Sequence, residues 1–99
     1  MRAASIDIGT NTTLALLAED SPDGLVTVKD ELTPNHLGES MKDAPVVPYD
    51  VIALNVDLLG ELIRDFRRDG AEAVAICATA ALRRAQNRGD FIGAAREIL

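Results

Sequence analysis

The chain has one cysteine, no tryptophan and three aromatic residues, Tyr49, Phe66 and Phe91. A single cysteine excludes an internal disulfide framework and cannot by itself make a metal site. With so few rings, any core has to be built from Leu, Ile, Val and Ala. Positive charge is also short, with 10 Lys and Arg against 16 Asp and Glu, net −6. An acidic chain is a poor partner for nucleic acid, whose non-specific binding rests on phosphate neutralisation. No apolar run approaches the ~20 residues of a membrane span. Asp7 interrupts the first apolar segment, which is not the pattern of a secretory signal. The expectation is a cytoplasmic protein with neither a nucleic-acid nor a membrane partner.

What is present fits one small globular domain: 99 residues, 47% hydrophobic and 26% charged. The charge is unevenly spread. Residues 1–63 carry three basic residues against eleven acidic ones, whereas residues 64–99 carry seven Arg against five acids. A phosphate-rich ligand would therefore need a local Arg cluster or a bridging metal ion.

Ala3 to Ile8 is short and β-compatible, Gly9-Thr10-Asn11 punctuates, and Thr12 to Glu19 is apolar again, which predicts a hairpin. The turn cluster Asp20 to Gly24 precedes a third strand over Leu25 to Leu32, completing an antiparallel meander. Thr33 to Val47 is irregular, and loops of about fifteen residues are usually functional or disordered. Pro48 suits the first position of a helix, along which Ile52, Val56, Leu59, Ile63 and Phe66 recur at helical spacing until Gly70 stops it. Ala73 to Ala78 reads as a buried strand, with Cys77 a small buried hydrophobe inside it. Thr79 is the expected cap of a short helix over Ala80 to Ala85, and Asp90 of a last helix to Leu99. The order β-β-β-α-β-α-α predicts an α/β domain with helices on a mixed sheet. The chain stops in that last helix without a C-cap, so further protein is expected to follow.

Three segments carry candidate chemistry. In Asp7-Ile8-Gly9-Thr10-Asn11-Thr12, Gly9 allows close backbone approach, successive turn N–H groups suit an anion, and Asp7 can hold hydrated Mg²⁺. The competing reading is an ordinary hairpin turn. In Ala78 to Arg88, a strand end leads into a helix start and Arg83 offers a bidentate phosphate contact. The competing reading is a surface helix with solvated arginines. In His36-Leu37-Gly38-Glu39-Ser40-Met41, His36 is a candidate phosphate contact and Glu39 a candidate aid to a metal or a neighbouring Arg, though a lone loop His is more often a plain surface residue. There is no HExxH, CxxC or P-loop pattern.

Together these segments resemble the exopolyphosphatase/guanosine-pentaphosphate phosphohydrolase family of the actin-like ATPase superfamily. Ala4-Ser5-Ile6-Asp7-Ile8-Gly9-Thr10-Asn11-Thr12 looks like its first phosphate motif, His36-Leu37-Gly38-Glu39 like its RLGEG segment, and Ala78-Thr79-Ala80-Ala81-Leu82-Arg83 through Asn87 and Phe91 like its ATSALR…N…F segment. The resemblance implies a ribonuclease H-like, actin-like fold, with residues 1–99 forming the first part of the N-terminal domain. It implies a Mg²⁺-dependent hydrolase that releases terminal phosphate from polyphosphate or guanosine pentaphosphate. Asp7 would serve the metal, and Gly9, Thr10, Asn11, Thr12, Arg83 and His36 would bind phosphate.

The departures are His36 in place of the commoner Arg, Ser40 in place of the second Gly of GEG, and Thr12-Thr13-Leu14 after the turn. The family's general-base Glu and its second glycine-rich phosphate loop would lie downstream of residue 99, so no catalytic base is expected here and the piece alone is expected to be inactive. The alternatives are the start of a sugar kinase or ATPase of the same superfamily, and a non-catalytic phosphate-binding or scaffolding domain. Apolar surface left uncovered leaves room for a homo-oligomer.

Overall fold

Alternation of apolar residues builds the first half of the chain. In the computed structural model, which describes residues 1–98, β1 (Arg2–Ile8) buries Ala4, Ile6 and Ile8, and β2 (Thr12–Ser21) buries Thr13, Ala15 and Leu17. Period-two burial of this kind turns one sheet face inward. β3 (Gly24–Pro34) completes the predicted meander but buries none of its residues.

The irregular segment after β3 contains a four-residue helix that the sequence does not predict, α1 (Leu37–Ser40). It has no periodic window to announce it and anchors itself through one buried residue, Leu37. Pro48 then stands just before α2 (Tyr49–Arg68), whose buried stripe is Ile52, Asn55, Leu59, Leu62 and Phe66. Val56 and Ile63, expected on that stripe, lie on its flank and are half-buried. Full burial of each large apolar side chain contributes roughly 1.5–3 kcal/mol, so this face holds the helix on the sheet. Gly70, at φ 95°, ends the turn after α2 as predicted.

The chain returns as β4 (Ala71–Ala78), parallel to β1, giving the sheet order β3-β2-β1-β4. The expected mixed α/β sheet is present. The burial of β4 is not as expected. Ala71 is buried and Val74 and Ile76 turn half-buried toward the core, while Ala73, Ala75 and Cys77 lie exposed on the face that no helix covers. The prediction of a buried Cys77 fails because a wholly apolar run implies cover on both faces, and among the described residues only one is covered.

The two sheet edges differ. β3 carries Lys29, Asp30 and Glu31, has a bulge at Val28 opposite Leu17/Ala18 and ends on Pro34, whereas the only charge on β4 is Glu72. Beyond β4 come α3 (Ala80–Arg84) and α4 (Arg88–Glu97). α4 begins before Asp90, which sits in its first turn instead of capping it. The helix follows Asn87, whose amide is taken up by Val47, accepting from its N–H and donating to its carbonyl, both at 2.9 Å. That pair ties the loop before α2 to the start of α4. Leu99 lies outside the described residues. No helix among those described is long and apolar enough to cross a membrane.

Candidate functional site

Because β1 and β4 are parallel neighbours, Ile8 and Ala78 end side by side and deliver two loops to one end of the sheet. Ligands of open α/β sheets gather outside such carboxyl ends. The Thr79 N–H and hydroxyl both donate to the Ile8 carbonyl, at 3.0 and 3.3 Å, stitching the two strand ends together. The hydroxyl is therefore not the expected side-chain cap of α3, which starts without one.

The Gly9–Thr12 loop turns tightly, with the Gly9 N–H donating to the Thr12 carbonyl at 3.0 Å. A Cβ at Gly9 would stand 2.8 Å from that same oxygen, so no side chain fits there. Thr10 and Asn11 are exposed, and among the described residues their N–H groups donate to no protein oxygen. Consecutive free N–H groups in an exposed turn are the elements of an anion site.

α1 braces this loop. The Gly38 N–H donates to the Thr10 carbonyl at 2.6 Å and the Asn35 N–H to the Asn11 carbonyl at 2.7 Å. The Glu39 N–H donates to Asn11 Oδ1 at 3.1 Å. His36, in the left-handed region at φ 61°, makes the bend that starts α1, a conformation in which His is enriched among non-glycine residues. Its Nδ1 lies 3.3 Å from Glu39 Oε2, and both side chains are exposed. The structure thus brings the first and third sequence segments together.

Beneath the loop sits a residue that the sequence pattern does not single out. Asn35 is 1% exposed, and its Nδ2 donates to the Gly9 carbonyl at 3.0 Å and to Thr13 Oγ1 at 3.2 Å. Its Oδ1 accepts from the Leu37 N–H at 2.9 Å. Asn55, 2% exposed on α2, donates from Nδ2 to the Asn35 carbonyl at 3.0 Å. The signal for Asn55 is its place on the apolar stripe between Ile52 and Leu59. For Asn35 there is none beyond the turn preference of asparagine.

Asp7 lies on the open face of the sheet, half-buried, with the Cys77 thiol 3.6 Å from its Oδ1. Among the described residues no group of three or more His, Cys, Asp or Glu gathers. A lone carboxylate fits a Mg²⁺ shared with water and phosphate oxygens, not a cage made of protein ligands alone. Desolvation first, and then the Asp7 charge, push the Cys77 thiol pKa up, so the thiol stays protonated at neutral pH. Asp7→Asn removes the charge, lowers that pKa and raises the thiolate fraction. Alkylation of Cys77 by iodoacetamide at pH 8 should then run about two- to fivefold faster. An unchanged rate would mean that the carboxylate does not act on the thiol.

Arg83 is exposed on α3, without an ion pair among the described residues. Its carbonyl accepts from Arg88 Nη1 at 3.3 Å, and the two arginines border a shallow cleft with Ala78, Leu82 and Ile92. α1 packs against α3, so Arg83 belongs to the same end of the sheet as the loop, though no hydrogen bond joins them.

No protein-family model and no curated protein matches the sequence. Solved structures do match. The chain superposes on the Aquifex aeolicus member of the Ppx/GppA protein family with a TM-score of 0.91 and 28% identity, over 98% of this chain and 32% of that one. A PPX-GPPA enzyme structure from Aquifex aeolicus gives 0.88 and 30% identity, over 99% of this chain and 33% of that one. An exopolyphosphatase from Cytophaga hutchinsonii shares the fold, with a TM-score of 0.90 at 22% identity, over 98% and 31%. The chain thus spans about a third of the length of the proteins it matches. In fold as in sequence motif, the family this chain resembles is Ppx/GppA, of which it corresponds to one third of a member.

Proposed function

We propose that residues 1–99 are the first part of the N-terminal, actin-like domain of a phosphohydrolase that cleaves terminal phosphoanhydride bonds of polyphosphate or guanosine pentaphosphate. The observation that carries this reading is the exposed Gly9–Thr12 turn, with the N–H groups of Thr10 and Asn11 free and α1 locked behind it. An exopolyphosphatase among the structural matches supports the substrate class. Phosphoryl transfer depends mostly on positioning and charge compensation, and these are the tasks this piece can perform.

In this reading Gly9, Thr10, Asn11 and Thr12 hold a terminal phosphate, while His36 and Arg83 add side-chain donors from α1 and α3. Asp7 would hold Mg²⁺, which when bound offsets phosphate charge as a Lewis acid. The general base is contributed from outside these 99 residues, so the chain binds without turnover. The reading is of a cytoplasmic protein.

Calorimetric titration with tripolyphosphate and Mg²⁺ tests the site. Arg83→Ala should weaken binding by about tenfold, ~1.4 kcal/mol for one charge-assisted contact. Equal affinity would remove Arg83 from the site, and no binding by the parent chain would remove the phosphate reading. Phosphate release by the isolated chain would show that a base lies within it.

A further inference from the structure

We propose that Asn35 is a positioning residue that orients the Thr10 and Thr12 N–H groups of the Gly9–Thr12 turn, with Asn55 as its anchor on α2. The proposal rests on the phosphate-holding reading of that turn. Its basis is the rigidity of the peptide plane. In a trans peptide the carbonyl and the following N–H point in opposite directions, and the described chain has no cis bond. Whatever captures a carbonyl from below therefore turns the next N–H up.

Three successive planes in the turn are captured in this way. The Gly9 carbonyl accepts from Asn35 Nδ2, which orients the Thr10 N–H. The Thr10 carbonyl accepts from the Gly38 N–H, which orients the Asn11 N–H. The Asn11 carbonyl accepts from the Asn35 N–H, which orients the Thr12 N–H. Asn35 thus sets the first and third planes, once through its side chain and once through its main chain.

The β ladder cannot do this for Gly9. Pairing of β1 with β4 ends at Ile8 and Ala78, and Thr79 already donates to the Ile8 carbonyl. Asn35 is itself fixed from behind, since Asn55 Nδ2 holds its carbonyl and bonds also to the Val51 carbonyl at 2.9 Å. Among the described residues no buried side-chain polar atom lacks a partner, so the relay has no slack.

Asn35→Asp keeps the shape and the acceptor for Leu37 but replaces the Nδ2 donor with an oxygen facing the Gly9 carbonyl. Two measurements on the full 99-residue chain test the role: the amide ¹H–¹⁵N resonances of residues 9–13, and tripolyphosphate affinity with Mg²⁺ well below the melting temperature. Expected are a displaced Thr10 amide resonance and an affinity lower by about tenfold. Thr13→Val serves as the control, because it removes one partner of Asn35 and leaves the bond to Gly9. It should lower the melting temperature while leaving the Thr10 resonance and the affinity in place.

Unmoved loop amides in Asn35→Asp would overturn the proposal, as would an effect on affinity equal to that of Thr13→Val. If Asn35→Asp does not fold, Asn55→Ala is read by the same two measurements. It should displace the same amide and weaken binding about threefold, and an unchanged amide would again overturn the role. A parent chain that binds no tripolyphosphate, in which Asn35→Asp still displaces the Thr10 amide, would retire the phosphate reading and leave the loop-positioning role standing.

Discussion

Replacing Gly38 by alanine lowers stability by about 2 kcal/mol and weakens tripolyphosphate binding by about tenfold. A Cβ at this position would stand 2.5 Å from Thr10 Cγ2, 3.0 Å from Asn11 Oδ1 and 3.2 Å from the Thr10 carbonyl oxygen. The Thr10 side chain is exposed and can rotate away. The other two atoms cannot yield so easily, because Asn11 Oδ1 accepts from the Glu39 N–H and the Thr10 carbonyl accepts from Gly38 itself. α1 has to retreat from the loop, and the middle peptide plane of the turn loses its donor. Urea denaturation and calorimetric titration report the two losses. Retention of both parent values would show that α1 shifts without disturbing the turn.

Phe66→Ala has the larger effect on stability, a loss of about 3–5 kcal/mol. Phe66 is 1% exposed in the last turns of α2, so its truncation leaves a cavity in the core. Domains of this size are stable by about 5–15 kcal/mol, which makes the loss a large share of the total. The site should be spared. Phe66 lies toward the end of α2 that leads to Asp69, whose carbonyl accepts from Arg2 at the start of β1, while the loop follows the other end of that strand. Circular dichroism in urea should show a much lower midpoint, and the folded fraction should keep the parent affinity. A midpoint close to the parent's would mean that the core refills the cavity.

The contrast between these two substitutions shows what the amino-acid sequence reveals and what it leaves out. The strands, α2 and its stop at Gly70 are legible because alternation and helical spacing are local signals, and Phe66 declares itself by position on a stripe. α1 is not legible, since four residues with a glycine among them carry no period. Cys77 misleads because an apolar run does not say how many faces of a sheet are covered. The Gly9–Thr12 turn and the His36–Glu39 segment can be picked out as motifs. Their junction cannot, because Asn35 reaches Gly9 across 26 residues and the bonds that join α1 to the turn are largely main-chain. Asn55 is the exception: a polar residue on an otherwise apolar stripe is a visible sign of a buried partner.

The unequal edges of the sheet bear on where a further strand can join it. Charged residues, a bulge and a terminal proline are devices that discourage strand addition, and β3 has all three. β4 has one charge along eight residues. Among the described residues, then, β4 is the side on which the sheet can take a further strand, and β3 is the side that refuses one.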